Sequence, residues 1–378
     1  MFPGPFPVLP AVGAGPPSRV RFSRHAGSPK TSRSGVALST MPGVKIVPAA
    51  GSARRSRPLA YVVALVAAVV TPLCASPSIA NAQATVDHIT QISAQREEIY
   101  VQSPAMRRIV QLDVLLPADQ GSTRPTLYLL DGNGASDTEG QSTWAMRGGA
   151  VQFFADKPVN VVMPVGGPGS FYTDWEKDDP KLGHNKWETF LTVELPPLVN
   201  GLLKGNGVNA IGGVSMGAQA AATLTVRNPS LYRALATFSG CLYSSNAGQL
   251  SVRPVVISDG GNPDNMWGPA TDPQWKAHDP SAHLDQLRGK PVFVYTGTGV
   301  AGPADANFDP SFTYPATLTE SIAIEQAAHD CTVSILAAMK LSGIQPQVVW
   351  NAIGTHSWPY WKEALPKSWP TLKAGLGV

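Results

Sequence analysis

Residues 207–229 read GVNAIGGVSMGAQAAATLTVRNP, and within them Gly213-Val214-Ser215-Met216-Gly217 has the form G-x-S-x-G. Five residues of that form arise easily by chance, so the flanks decide the reading. The motif does its work only at a sharp turn between a strand and a helix, where the serine hydroxyl stands exposed above a sheet. Val208 to Val214 reads as a short buried strand. Ala218 to Arg227 reads as a helix that stops before Asn228-Pro229. Gly213 and Gly217 remove side chains that would crowd the turn. Ser215 is therefore a candidate nucleophile; an ordinary serine in a glycine-rich turn is the plain alternative.

Outward from this stretch, strand and helix patterns alternate as in an α/β sheet. RRIVQLDVLLP (107–117), PTLYLLDG (125–132) and VNVVMPVGG (159–167) read as early strands. KWETFLTVELPPLVNGLL (186–203) reads as a helix kinked or broken at Pro196-Pro197. After the serine turn come RALATFSG (233–240), RPVVISDGG (253–261) and KPVFVYTGTG (290–299), all read as strands. A long helix follows in TESIAIEQAAHDCTVSILAAMKLSG (319–343), then a last strand in QPQVVWNAIG (345–354). Residues 83–378 read as one domain with no repeats, and the Gly/Pro-rich connections around 131–148 and 260–285 are expected over the sheet edge.

The first 82 residues differ. They contain no Asp or Glu, nine Lys or Arg, and an excess of Pro, Gly and Ser. Arg54, Arg55 and Arg57 precede the apolar run Leu59 to Val70, and Ala80-Asn81-Ala82 offers a small-x-small cleavage site before Gln83. This reads as a leader with a secretory signal peptide, its core about 41–82, with Met1 or Met41 as the start. The apolar run is shorter than the roughly 20 residues of a membrane span, so no transmembrane anchor is expected after cleavage, and the mature protein is expected outside the cytoplasm. The whole chain carries a net charge of +3. Without the leader, 20 basic residues face 26 acidic ones, a net of −6 with no Lys/Arg cluster, which gives no support to nucleic-acid binding. The exported part keeps Cys241 and Cys331, and an even pair in an exported protein favours one disulfide.

A serine needs a base, and the base needs an acid to hold its tautomer. In strand–elbow–helix proteins the order is nucleophile, acid, histidine. His356, in NAIGTHSWPYW after the last strand, fits best as the base. His278, His283 and His329 are accounted for by solvated surface roles, and no histidine–carboxylate set has metal spacing. For the acid, Asp305, Asp309, Glu320 and Glu325 all remain open on spacing. The backbone N–H of Met216 supplies one oxyanion donor, and Asn133, between Gly132 and Gly134 after an early strand, is suited to supply the second.

Six segments now stand in order: YLLDG (128–132), VVMPVGGPGSFYTDW (161–175), KWETFLTVELP (186–196), GGVSMGAQ (212–219), NMWGPATDPQWKAHDP (265–280) and GTHSWPYW (354–361). Together they resemble the mycolyltransferase (antigen 85) family over most of residues 100–365. The resemblance implies an α/β-hydrolase fold, with a central mostly parallel sheet and helices on both faces. It implies transfer of a mycoloyl chain from trehalose monomycolate to a second trehalose monomycolate or to cell-wall arabinogalactan, with no cofactor. Carried onto this chain, it makes Ser215 the nucleophile, His356 the base and Glu325 the acid. Asn133 and Met216 take the oxyanion positions, and Asp131 and Trp358 line the sugar site. The pair Cys241 and Cys331 is similar to that of the corynebacterial branch. The chain departs from the antigen 85 type in one respect: NGAS (133–136) stands where an arginine would help to hold the sugar. A secreted carboxylesterase, or a non-catalytic protein binding cell wall or matrix on the same scaffold, are the rival readings.

Overall fold

The computed structural model describes residues 83–135, 140–307 and 317–378. The leader, its cleavage site and Asp309 lie outside the described residues.

The strand that leads to Ser215 runs Gly205–Val214 and is buried without alternation over its last six residues, as a strand covered on both faces must be. It is β6 of a nine-stranded sheet. The others are β1 (Thr85–Ser93), β2 (Arg96–Ser103), β3 (Arg108–Leu115), β4 (Arg124–Leu130), β5 (Asn160–Pro164), β7 (Tyr232–Phe238), β8 (Val292–Thr296) and β9 (Gln347–Trp350). Their order is β1-β2-β3-β5-β4-β6-β7-β8-β9. The pairs β1/β2, β2/β3 and β3/β5 are antiparallel, and the five pairs from β5/β4 to β8/β9 are parallel.

The pleat divides the side chains between two cores. Tyr128, Leu130, Ile211 and Leu235 point to one face, where Trp187, Phe190, Trp267 and the helix Met216–Arg227 cover them. Leu127, Leu129, Ala210, Val214 and Phe238 point to the other, under Trp144, Phe154, Trp361 and Leu365. Helices on both faces of a mostly parallel sheet match the expected α/β-hydrolase architecture and its single domain. No helix among the described residues is long and apolar enough to cross a membrane.

Three local expectations change. RPVVISDGG is not a strand: its residues 253–258 lie in a helix, Gln249–Ser258, with Pro254 inside it. Its β-branched run suggested a strand, but Val252 and Val256, four apart, are the residues it buries. The helix beginning at Trp187 is not broken at Pro196-Pro197 either. It widens into a π-turn over Phe190–Glu194, where the Leu195 N–H donates to the Phe190 carbonyl, and resumes over Leu195–Leu202 with the prolines in its first turn. Prolines lack the N–H a continuous ladder would need, so the irregularity falls just upstream of them. His278 is not a surface residue: it is buried, stacked on Trp267 at 4.7 Å. Burial pushes its imidazole down to about 4, so it stays neutral and serves as core.

Cys241 and Cys331 form a disulfide, with Cα atoms 5.1 Å apart and a separation of 90 in sequence. It ties the segment after β7 to the helix Leu318–Leu341. Reduction is expected to lower folding stability by about 2 to 5 kcal/mol, read as a fall in the denaturant midpoint. An unchanged midpoint under reductant would mean that the bridge constrains nothing the fold does not already fix.

Candidate active site

Ser215 sits between β6 and the helix Met216–Arg227 with φ 54° and ψ −120°. This is a conformation few L-residues adopt, and the Ser215 N–H donates to the Phe238 carbonyl of β7 at 2.8 Å. A Cβ on Gly213 would come within 2.2 Å of the Gly217 carbonyl oxygen, and one on Gly217 within 2.3 Å of the Asp131 carbonyl oxygen. Both glycines of the motif are thus demanded by close approach of backbone. The second contact presses the start of the helix onto the loop after β4, which carries Asn133.

The Ser215 hydroxyl lies 2.8 Å from His356 Nε2, and His356 Nδ1 lies 2.8 Å from Glu325 Oε2. With the serine donating to Nε2, the ring proton sits on Nδ1 and is donated to the carboxylate. Glu325 is 0 % exposed and His356 2 %. The other carboxylate oxygen of Glu325 accepts from the Gly297 N–H at 2.6 Å and the Ser239 hydroxyl at 2.8 Å. Ser239 accepts in turn from Trp361 Nε1, and the Trp361 ring stands edge-on to His356 at 4.9 Å. Glu325 and His356 are therefore each fixed by a contact beyond the hydrogen bond they share. The arrangement can take a proton from the serine and stabilise the resulting imidazolium.

Three of the four carboxylates left open by spacing, Asp305, Glu320 and Glu325, are among the described residues and separate here. Glu320 closes a capping box with Thr317 at the start of the late helix. Asp305 accepts from the Thr355 hydroxyl at 2.6 Å and from the Tyr360 hydroxyl at 2.5 Å, which braces the loop around His356. Glu325 alone of the described candidates touches the histidine ring. His329 uses Nδ1 on the Gly297 carbonyl at 2.9 Å, and His283 lies near the Lys276 carbonyl; neither approaches Ser215.

Ser215 opens into a cavity of about 320 Å³. Asn133, Met216 and His356 surround the serine, and Phe171, Leu250, Pro254, Val255 and Ile324 make the rest of the wall largely apolar. The disulfide forms part of this wall. The Met216 N–H belongs to the first helical turn, where backbone donors have no carbonyl of their own helix to bind. Among the described residues no group of three or more His, Cys, Asp or Glu is placed to hold a metal ion.

Asp131 and Trp358 lie beside this cavity without belonging to its wall. The Asp131 carboxylate is 1 % exposed and accepts from the Ser142 hydroxyl and the N–H groups of Thr143 and Trp144 at 3.0 to 3.1 Å. Burial raises its carboxyl to about 6 against those donors. Trp358 packs edge-on against Trp144 and Trp361, each at 5.2 Å. Sequence reasoning gave Ser239 and Trp361 no role, although Ser239 donates to Glu325 and Trp361 packs against His356. Trp361 could have been found from its place in GTHSWPYW; Ser239 carries no local signal.

The model of a family described as "Putative esterase" matches residues 103–372. The diacylglycerol acyltransferase/mycolyltransferase Ag85A of Mycobacterium leprae is 33% identical over 305 residues, covering 75% of this chain and 84% of the relative. Its namesake Ag85C of Mycobacterium avium is 32% identical over 289 residues, covering 74% and 77%. Among solved structures, Mycobacterium tuberculosis MPT51 (FbpC1) superposes with a TM-score of 0.63 at 25% identity, over 75% of this chain and 100% of that one. An S-formylglutathione hydrolase from Agrobacterium tumefaciens shares the fold, with a TM-score of 0.56 at 16% identity over 78% of this chain and 100% of the other.

Proposed function

Since this chain belongs to the antigen 85 family of mycolyltransferases, within the wider esterase family, we propose that it is a serine acyltransferase. It moves a mycoloyl chain from trehalose monomycolate to a second trehalose monomycolate or to arabinogalactan, through an ester on Ser215. The observation that carries this reading is the unbroken run of hydrogen bonds Ser215–His356–Glu325 at the mouth of an apolar cavity. An acyl chain is the substrate part such a wall accommodates, because burying methylene groups there is favourable by about 0.8 kcal/mol each.

In the proposed cycle His356 Nε2 takes the Ser215 proton as the oxygen attacks the ester carbonyl. The N–H groups of Met216 and Asn133 receive the oxyanion. Collapse expels the trehalose oxygen, which takes the proton from His356. A second sugar hydroxyl then gives its proton to His356 and attacks the acyl-enzyme, which restores the serine. Water competes at that step with the same catalytic residues, so acceptor choice separates transferase from esterase. The sugar-side roles of Asp131 and Trp358 are exerted through Ser142, Thr143 and Trp144 and the aromatic stack, because the Asp131 carboxylate is committed inward. The leader composition supports a place of action in the cell envelope.

Incubating residues 83–378 with trehalose monomycolate is expected to yield trehalose dimycolate and a mycoloyl adduct on Ser215, both read by mass spectrometry. Adduct with free mycolic acid as the sole product would identify a hydrolase instead. Neither product would remove this substrate class.

A further inference from the structure

The loop bearing the second oxyanion donor has glycine on both sides of Asn133 and so little stiffness of its own. What holds it is the Asn133 side chain, which is 5 % exposed. Its Oδ1 accepts from the Gly169 N–H at 2.9 Å. Its Nδ2 is buried with no partner of ordinary hydrogen-bond geometry, and so is Asp259 Oδ2. One is a donor and the other an acceptor, and both side chains lie against Gly169. Burial pushes the Asp259 carboxyl up to about 6, and the Asn133 amide works in the opposite direction.

Gly169 completes the contact. Its φ is +64°, and a Cβ built there would meet Asp259 Oδ2 at 2.9 Å and Asp259 Cβ at 3.2 Å. The segment around it is in an unusual conformation: Gly166, Gly167, Phe171 and Tyr172 also have positive φ. Non-glycine residues keep such angles only where their surroundings over-determine them, so Asn133 is fastened to a segment with little room to shift. Asp259 follows directly on the helix Gln249–Ser258, whose Leu250, Ser251, Pro254 and Val255 line the cavity at Ser215.

We propose that Asp259 is a positioning residue for the oxyanion site: by facing the Asn133 amide across Gly169 it keeps the residue 133 backbone N–H aimed at the ester carbonyl oxygen bound at Ser215. This rests on the acyl-transfer reading. An N–H that is present but misdirected binds the ground state as before and the transition state less well. The loss therefore falls on kcat and leaves KM nearly unchanged.

The test compares Asp259→Ala, Asp259→Asn, Asn133→Leu and the double variant Asn133→Leu/Asp259→Ala in hydrolysis of p-nitrophenyl butyrate, and in inactivation by a p-nitrophenyl phosphonate that mimics the tetrahedral oxyanion. Asp259→Ala is expected to lower kcat about ten- to a hundredfold, below the full loss of a donor, with KM within twofold, and to slow phosphonylation to the same degree. Asp259→Asn keeps an acceptor for the amide and is expected to recover most of the loss. The double variant is expected to lose no more than Asn133→Leu alone, as groups sharing one interaction do. Unchanged kcat in Asp259→Ala, a rise in KM alone, or additive losses in the double variant would overturn the proposal. If Asp259→Ala does not fold, Asp259→Asn with Asn133→Leu still decides: a fall in Asn133→Leu confined to KM overturns it. A wild-type protein that neither hydrolyses the butyrate ester nor reacts with the phosphonate would instead overturn the acyl-transfer reading.

Discussion

Ser215→Ala will lower kcat by roughly 10⁶-fold, the scale at which loss of the nucleophile leaves only binding and oxyanion stabilisation. The fold will remain. Alanine retains the Cβ, so the strain of φ 54° is the same for both residues, and the deleted oxygen gives up one hydrogen bond, to His356. That costs about 1 kcal/mol of stability. The measurement is kcat on a soluble ester together with the intact mass after treatment with a phosphonate. An alanine variant that still forms the adduct would place the nucleophile elsewhere. Unchanged turnover would leave binding, not catalysis, as the role of this cavity.

Glu325→Gln comes next in size, with kcat expected to fall about 10⁴-fold, as when an acid that holds the base in its tautomer becomes an amide. The surroundings make both amide orientations poor. With the oxygen toward His356, the NH₂ meets the Gly297 N–H and the Ser239 hydroxyl, donors against a donor. With the NH₂ toward His356, the ring must place its proton on Nε2 and cannot accept from Ser215. Stability should fall as well, because a buried group loses partners that nothing replaces. The variant is read by kcat beside its thermal midpoint. Wild-type turnover would exclude Glu325 as the acid. The described alternatives are already occupied, Glu320 by Thr317 and Asp305 by Thr355 and Tyr360.

Much of the site was legible where chemistry forces a local pattern. The G-x-S-x-G turn needs two glycines because backbone comes within 2.3 Å of where their Cβ atoms would be, and that requirement is written into five adjacent residues. His356 was legible from its place after the last strand. The carboxylate beside it was not, because Glu325 meets a ring that lies 31 residues away in sequence, and four carboxylates have comparable spacing. The resemblance to a family, not periodicity, separated Glu325 from Glu320. The same limit applied to the fold. Strands β4, β5, β7 and β8 are buried apolar runs and read directly. The hairpin β1/β2 does not: β1 is exposed along most of its length and its Val86, Ile89 and Ile92 are spaced by three. The final helix, Trp358–Leu376, carries Pro366 and Pro370 in its interior, residues that argue against a helix until tertiary packing of Trp361, Leu365 and Leu372 overrides them.

The separation of the reacting groups along the chain sets when reactivity can appear. Ser215 and His356 are 141 residues apart, and the loop bearing the histidine follows β9, the last strand in sequence and an edge of the sheet. Contacts of such long range carry a loop-closure cost and are met late in folding. A nascent or partly folded chain therefore holds Ser215 as an ordinary alcohol, inert toward esters. Reactivity is switched on by the closing of the sheet, and a polypeptide ending before residue 356 would carry the elbow yet stay chemically silent.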